Sequence, residues 1–416
     1  MRDFVSDALI YFIGRAIPAA IGFVGVLIFV RLLGDAGYGS YAILFSGANL
    51  VSVVVVGWLS QGVLRFQAAA HKEEPFGHAL SISLWWVAGV ALLLSAAVPL
   101  VGDIGPHNFE AMAVTGLLAV GLSAHAVYAA SLQAALRARA VAALEVARAV
   151  AALPLSLAGV FLVEPAFLGA VLGAAISYAL SSLYAHRLSR RSIPQGTDKA
   201  AAGRLARQLF QFGWPISVWL GVTLFMPFAE RVLIDRFLGT ASTGQYAAMY
   251  DLVFRSSAFV LMPIVLAVHP RIMSEHRRSA ANGVRRLWGV ALLIQSAVAL
   301  VVTLSLALLA RQVVRATGLM ESADLLHLVL PLAAAGCIWQ VALVAQKLLE
   351  AEQRTRTMLM LLLVALILNI TLDIIFLPAY GLVAAAYSLL LAGVFYTVAA
   401  GVLGFSIRPP AREQAE

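Results

Sequence analysis

Charge is the scarcest ingredient of this 416-residue chain: Asp, Glu, Lys and Arg make up 12% of it, against 62% hydrophobic residues. A soluble domain carries roughly 25% charged residues, so a water-covered globular surface is excluded. Cysteine is nearly missing. Cys337 is the single copy, which rules out an intrachain disulfide or a thiolate cluster, and inside an apolar run it reads as a small core residue. There is no P-loop, no His-Glu-x-x-His and no Gly-x-Ser-x-Gly, so ATP hydrolysis, zinc chemistry and serine chemistry have no visible carrier. The eight histidines are scattered without ligand spacing. The reading is therefore not an enzyme, with no cofactor and no metal. No small-residue cleavage site precedes Arg31, so the first apolar run reads as a retained helix.

What the chain has in quantity is apolar runs of about twenty residues, each long enough to cross a ~30 Å hydrocarbon core as a helix. They fall at 9–31, 41–64, 79–101, 111–133, 149–163, 166–186, 209–234, 246–268, 287–310, 325–347, 357–377 and 380–404. They are too long and too weakly alternating for a β-barrel. The fold class expected is an all-α integral membrane protein with twelve transmembrane helices.

The chain also repeats. Arg31-Leu32-Leu33-Gly34-Asp35-Ala36-Gly37-Tyr38-Gly39-Ser40-Tyr41-Ala42 returns as Arg236-Phe237-Leu238-Gly239-Thr240-Ala241-Ser242-Thr243-Gly244-Gln245-Tyr246-Ala247, 205 residues later. Further on, Gln133-Ala134-Ala135-Leu136 is similar to Gln346-Lys347-Leu348-Leu349, and Pro165-Ala166-Phe167 to Pro378-Ala379-Tyr380, both 213 residues apart. A fixed-spacing recurrence between hydrophobic spans reads as a duplicated transporter unit, and an even number of spans per half makes the repeat parallel. The halves are 1–186 and 209–416, each a six-helix bundle. The polar stretch 187–208, with Pro194, Gly196 and several arginines, reads as a cytoplasmic linker.

Orientation follows from the basic residues. With the N-terminus inside, the inner segments hold 22 Lys and Arg and the outer ones 5, so both termini are cytoplasmic. The inner set includes Lys72, Arg137, Arg139, Arg148, Arg278, Arg408 and Arg412. The net charge of +8 then faces anionic membrane lipid, and no aromatic-interleaved motif points to nucleic acid.

Three passages carry a family resemblance: Arg31-Leu32-Leu33-Gly34 through Tyr41 with Gly57-Trp58-Leu59 and Arg65-Phe66; the turn from Gln346 to Arg356; and Asn369 through Phe376-Leu377-Pro378-Ala379-Tyr380-Gly381 to Ala386. The sequence resembles the Wzx-type polysaccharide flippases of the multidrug/oligosaccharidyl-lipid/polysaccharide exporter superfamily. It departs mildly where Val383 or Ala384 stands in place of the family's usual glycine. The resemblance implies two bundles around a central cavity, alternately open to either side of the bacterial inner membrane. It implies a cargo of oligosaccharide on an undecaprenyl diphosphate carrier, moved from the inner to the outer leaflet, with H+ or Na+ as coupling ion and polysaccharide polymerase machinery as a further partner. A sugar-diphosphate head cannot cross hydrocarbon unaided, because each unpaired polar group costs several kcal/mol.

Charges within spans are expensive and are functional candidates by default. Arg15 lies some eight residues into span one; it either offers its planar donor fork to the diphosphate or snorkels to the interface. Arg255 near the middle of span eight pairs with Asp251 at i,i+4, as a structural ion pair or with Arg255 meeting phosphate while Asp251 tunes it or takes up a cation. Glu230, inside span seven, is either a coupling carboxylate or a water-facing end position. Asn369 and Asp373 at i,i+4 read as helix–helix hydrogen bonding. Gln61 and Trp219 are candidate sugar contacts. Pro18, Pro215 and Pro227 make spans one and seven bendable, Gly169-x-x-x-Gly173 permits close helix contact, and Trp85, Trp86, Trp214 and Trp288 read as interface anchors.

The competing readings are a cation-coupled multidrug antiporter and a peptidoglycan-precursor flippase of the same superfamily. From another class comes a membrane polysaccharide polymerase or ligase, which would need a larger outer loop than 232–245 or 311–324. A scaffold role leaves the charges within spans unexplained.

Overall fold

In hydrocarbon every backbone N–H and C=O must find its partner inside the segment, so long apolar runs fold as helices. The computed structural model describes residues 2–71, 74–102, 104–277, 281–318 and 323–406, and all regular structure among them is helical. Lys72, Arg278, Arg408 and Arg412, counted above on the inner face, lie outside the described residues, as do 319–322 of the outer loop.

In chain order the helices are α1 Arg2–Phe66, α2 Phe76–Ser95, α3 Ala97–Val101, α4 Asn108–Ala134, α5 Ala138–Leu162, α6 Ala166–Ser189, α7 Lys199–Leu238 and α8 Thr240–Met249. After a π-helical turn at Tyr250–Phe254 come α9 Arg255–Arg277, α10 Ala281–Leu308, α11 Ala310–Thr317, α12 Ala323–Ala345, α13 Lys347–Ala351, α14 Thr355–Tyr380 and α15 Leu382–Ser406. Eleven helical stretches among the described residues are long and apolar enough to cross a membrane. The first, Gly14–Ala69, has 56 residues. That is about 84 Å of helix against a ~30 Å hydrocarbon core. It kinks at Gly34, and its two arms supply two of the twelve expected spans.

The repeat is visible in backbone conformation. Gly34 has φ 66 and ψ 177, and Gly239, between α7 and α8, has φ 85 and ψ 167. A Cβ added to either would meet no atom within 4 Å, so glycine is required by the backbone angles and not by crowding. The second repeated turn is also real, but its register is corrected. α4 ends in a Schellman cap in which Arg137 N donates to Leu132 O at 3.0 Å and Leu136 N to Gln133 O at 2.9 Å. The same cap closes α13: Arg354 N donates to Leu349 O at 2.9 Å and Gln353 N to Glu350 O at 3.0 Å. Leu136 (φ 55) and Gln353 (φ 54) are the left-handed residues, 217 apart. The equivalence is therefore Gln133 with Glu350 rather than with Gln346, a slip of one helical turn. Pro165 and Pro378 are not equivalent either, since Pro165 precedes α6 and Pro378 lies in the last turn of α14.

Packing divides the chain into two compact units, Met1–Val232 and Leu233–Glu416, with the division inside α7. In the first, α6 packs on α4 and α5; in the second, α15 packs on α12 and α14, the same neighbours in the same order. The Gly169/Gly173 pair lies at the α5–α6 crossing. A Cβ on Gly159 of α5 would come 2.0 Å from Gly169 O, and one on Gly173 2.3 Å from Leu155 O. Backbones in such contact gain van der Waals attraction that lipid cannot match. Pro18, Pro215 and Pro227 sit inside continuous helices. Cys337 is buried.

One span boundary is corrected. The helix expected at 149–163 is α5, which begins eleven residues earlier at Ala138. Arg139, Glu145 and Arg148 lower the hydropathy there and disguise the first turns, so Arg148 belongs to a helix and not to an inner loop.

Candidate functional site

The charged pair expected on span eight is formed. Arg255 Nε lies 3.1 Å from Asp251 Oδ1, and the two side chains are 59% and 11% exposed. Asp251 sits in the π-helical turn and Arg255 opens α9 directly after it. A π turn inserts one residue and rotates everything beyond it about the helix axis, and such turns recur at functional sites. Tyr250 and Phe254 of this turn stack with centroids 4.5 Å apart, so an apolar platform lies beside the pair.

A second polar set lies between α14 and α15. Asn369 and Asp373 are both fully buried, and Ser388 of α15 donates a hydrogen bond to Asp373 Oδ1. The expected helix–helix bond is thus present. Ser388 also donates to the Ala384 and Ala385 carbonyls at 3.0 Å. Asp373 Oδ2 and both side-chain heteroatoms of Asn369 have no partner among the described residues. Leaving such a group buried and unbonded costs roughly 1–3 kcal/mol each. Two carboxylate or amide oxygens one turn apart, with a hydroxyl, make an oxygen donor set that suits a proton or a hard monovalent cation.

At the start of α13, Tyr396 Oη donates to Gln346 Oε1 at 2.6 Å, and Gln346 Nε2 to Glu350 Oε1 at 2.8 Å. Lys347 Nζ lies 2.5 Å from Glu350 Oε2, and His269 Nδ1 3.4 Å from the same oxygen. This network fastens α9, α13 and α15 at one end of the second unit.

The first unit holds a network that sequence reasoning missed. His125 Nε2 of α4 is 2.9 Å from Glu145 Oε1 of α5, and its Nδ1 is 3.0 Å from Ser181 Oγ of α6. Arg148 Nε and Nη2 donate to Glu145 Oε2 at 3.2 and 3.1 Å, while the guanidinium lies 4.6 Å over the Tyr178 ring. The carboxylate is satisfied from two helices and the imidazole from two more directions. Only Glu145 and Arg148, three apart on one helix, could have hinted at it from the sequence.

Of the remaining candidates, Arg15 is exposed on the first arm of α1, and Gln61 on its second arm is half-buried. Trp219 is half-buried on α7, with its indole N–H lacking a partner among the described residues. Glu230 is 1% exposed, so it is not at a water-facing helix end. Arg15, Gln61, Trp219 and Glu230 belong to the first compact unit and Asp251 and Arg255 to the second. Trp85, Trp86 and Trp214 are exposed, and Trp288 donates to the Val344 and Ala345 carbonyls at 3.1 and 3.2 Å. Among the described residues no three His, Cys, Asp or Glu side chains converge as metal ligands.

Comparison with known proteins gives the context. No curated protein matches the chain in sequence. A multidrug resistance MATE family transporter of the MOP superfamily, in an inward-facing conformation, superposes with a TM-score of 0.76 at 14% identity, covering 95% of this chain and 97% of that one. The lipid II flippase MurJ, in an inward closed conformation, gives 0.75 at 13% identity, covering 94% and 86%. A MOP superfamily transporter from Pyrococcus furiosus gives 0.65 at 16%, covering 96% and 94%. At such identities the superpositions show the fold alone: a helical membrane fold shared with the MATE proteins and MurJ. Residues 4–276 match the family described as "Polysaccharide biosynthesis protein", which is well over half of the chain. This multi-pass membrane protein, with the fold of the MOP superfamily, belongs to the polysaccharide biosynthesis protein family.

Proposed function

We propose that the chain is a flippase that moves an undecaprenyl-diphosphate-linked oligosaccharide from the inner to the outer leaflet of the bacterial inner membrane by alternating access. The observation that carries this reading is the Asp251–Arg255 pair at the π-helical turn: in a member of a polysaccharide biosynthesis family, a guanidinium within a membrane span keeps 59% of its side chain accessible. Asp251 offsets that charge within the protein, and Arg presents a fork of donors that can also serve diphosphate oxygens. In the first unit, taken by itself, Arg15 is a further candidate cation and Gln61 and Trp219 are candidate sugar contacts. Basic groups at these positions favour an anionic cargo over the cationic amphiphiles of a multidrug antiporter.

Coupling to H+ or Na+ is assigned to carboxylates within the spans. Asp373, with Asn369 and Ser388, is the set with unmet hydrogen-bonding capacity; Asp251 and Glu230 are the other two candidates.

The test is Arg255→Ala in cells that depend on the chain for polymer export. Lipid-linked oligosaccharide should accumulate on the inner face while the protein inserts normally, and Arg255→Lys should recover part of the export. Full export by Arg255→Ala removes this residue from the cargo site. Full export by Asp373→Asn in a background lacking a pH gradient and a sodium gradient would remove the coupling assignment.

A further inference from the structure

Outside the sites above, the first unit contains a pocket of about 640 Å³ between α2, α4, α6 and the stretch that follows α6. That volume lies in the roughly 300–1,000 Å³ range of small-molecule sites. Its walls are mostly apolar, with Leu80, Leu84 and Val87 from α2, Val120 and Ala124 from α4, and Leu183 from α6, interrupted by Ser81, Ser123 and Ser182. At its polar and cationic mouth lie Tyr128, His186, Arg190 and Gln195, and among the described residues no carboxylate lines it.

The mouth of the pocket is constructed. Gly77 N donates to Pro194 O and Gly196 N to Glu74 O, both at 2.9 Å, so the 193–196 segment is laced to the start of α2. Gln67 Nε2 holds the chain just before it, donating to Ser131 O at 3.2 Å and Ser192 O at 3.4 Å, and Ile193 is buried in the unit's core. Gln195 lies over Gly77, where a Cβ would come 2.7 Å from its Oε1. The first half of the polar stretch 187–208 is thus part of the bundle wall, and it presents Arg190 at the mouth.

We infer that this pocket is a binding site for an anionic phospholipid of the inner leaflet, with one acyl chain between α2, α4 and α6 and the head-group phosphate at Arg190 and His186. Three features select this occupant. The walls belong to helices long and apolar enough to cross the membrane, so an acyl chain between them meets apolar side chains at bilayer depth. The mouth is basic with no acidic side chain among the described lining residues, and it lies on the face that the distribution of Lys and Arg assigns to the cytoplasm, where anionic lipid is found. Tyr128, within two turns of the end of α4 at Ala134, is an amphipathic ring of the kind that settles near head-group level. The site does not depend on the identity of the transported cargo.

The test is native mass spectrometry of the full-length protein, delipidated in detergent and titrated with dioleoylphosphatidylglycerol, dioleoylphosphatidylcholine or undecaprenyl phosphate. Phosphatidylglycerol should be retained preferentially. Arg190→Gln should lower its retention about fivefold, the effect of one basic residue on anionic lipid, and Ala88→Trp, which fills the pocket, should lower retention of both phospholipids. Arg191→Gln, which does not line the pocket, should leave retention unchanged. His186→Gln, at an exposed position near the end of α6, provides a second charge variant should Ala88→Trp fail to fold. Equal retention of the two phospholipids, or undiminished phosphatidylglycerol in Arg190→Gln and His186→Gln, would overturn the site. Undecaprenyl phosphate displacing phosphatidylglycerol from the wild type but not from these variants would overturn the choice of occupant.

Discussion

Replacing Gly34 by alanine isolates the cost of one backbone conformation. Nothing lies within 4 Å of the position an alanine Cβ would occupy, so no steric clash or cavity contributes. What is left is the angle pair, φ 66 with ψ 177, which belongs to a region populated essentially by glycine. Holding an L-residue there costs about 1–3 kcal/mol. Gly239, with φ 85 and ψ 167, should behave alike. Two controls fix the interpretation. Gly289 lies inside α10 with open space around it, and Gly289→Ala should stabilise the protein by roughly 1 kcal/mol through helix propensity. Gly318, at φ 73 and ψ 4, is an ordinary left-handed cap after α11, where asparagine is tolerated. Gly318→Asn should therefore be nearly silent, while Gly34→Asn should be as harmful as Gly34→Ala. The assay is thermal unfolding of the detergent-solubilised protein, with the apparent melting temperature read for all four variants beside wild type. A Gly34→Ala protein as stable as wild type, or one rescued by asparagine, would refute the reasoning.

Gly159→Leu would drive a side chain into the Gly169 backbone, 2.0 Å from the built Cβ, and should prevent α5 and α6 from packing; yield of monodisperse protein on gel filtration measures it. Glu145→Gln deprives Arg148, 15% exposed, and His125 of their shared carboxylate, and should cost about 1–3 kcal/mol of stability; an unchanged melting temperature would show the network to be dispensable. Asp198 accepts hydrogen bonds from the amides of Ala201 at 3.0 Å and Ala200 at 2.9 Å, which, with Arg204 nearby, hold its carboxyl below the usual aspartate range. Because the folded value is the lower one, its support of the α7 start is present above the ordinary aspartate pKa and lost as pH falls through the folded value. The protection of the Ala200 and Ala201 amides against exchange, relative to their intrinsic rates at each pH, should fall on acidification, and Asp198→Asn should abolish that pH dependence.

The legible parts of the chain are those where one residue type has one physical meaning. Runs of apolar residues long enough to cross a bilayer located nearly every helix, and the recurring Arg-x-x-Gly motif marked two backbone breaks that glycine alone adopts. Register was harder. The turns at Leu136 and Gln353 share a Schellman cap but few side chains, and an apolar, alanine-rich flank aligns almost as well one turn away. The start of α5 was hidden because Arg139, Glu145 and Arg148 look like loop residues until His125 and Tyr178, from two other helices, are placed beside them. A π turn leaves no periodic trace, since it is one residue's departure from a pattern otherwise kept. Asp251 and Arg255 were found by their i,i+4 spacing, not by the turn that holds them.

Gly34 joins two membrane spans with no loop at all, and Gly239 does the same between α7 and α8. A flexible connection would let adjacent spans tilt separately, each finding its own angle in the bilayer. A single-residue elbow acts instead as a crank: tilting one arm carries the other with it. A large rearrangement can therefore move each span pair as one piece, turn at the elbow, where two dihedral angles can change, or bend an arm at Pro18, Pro215 or Pro227.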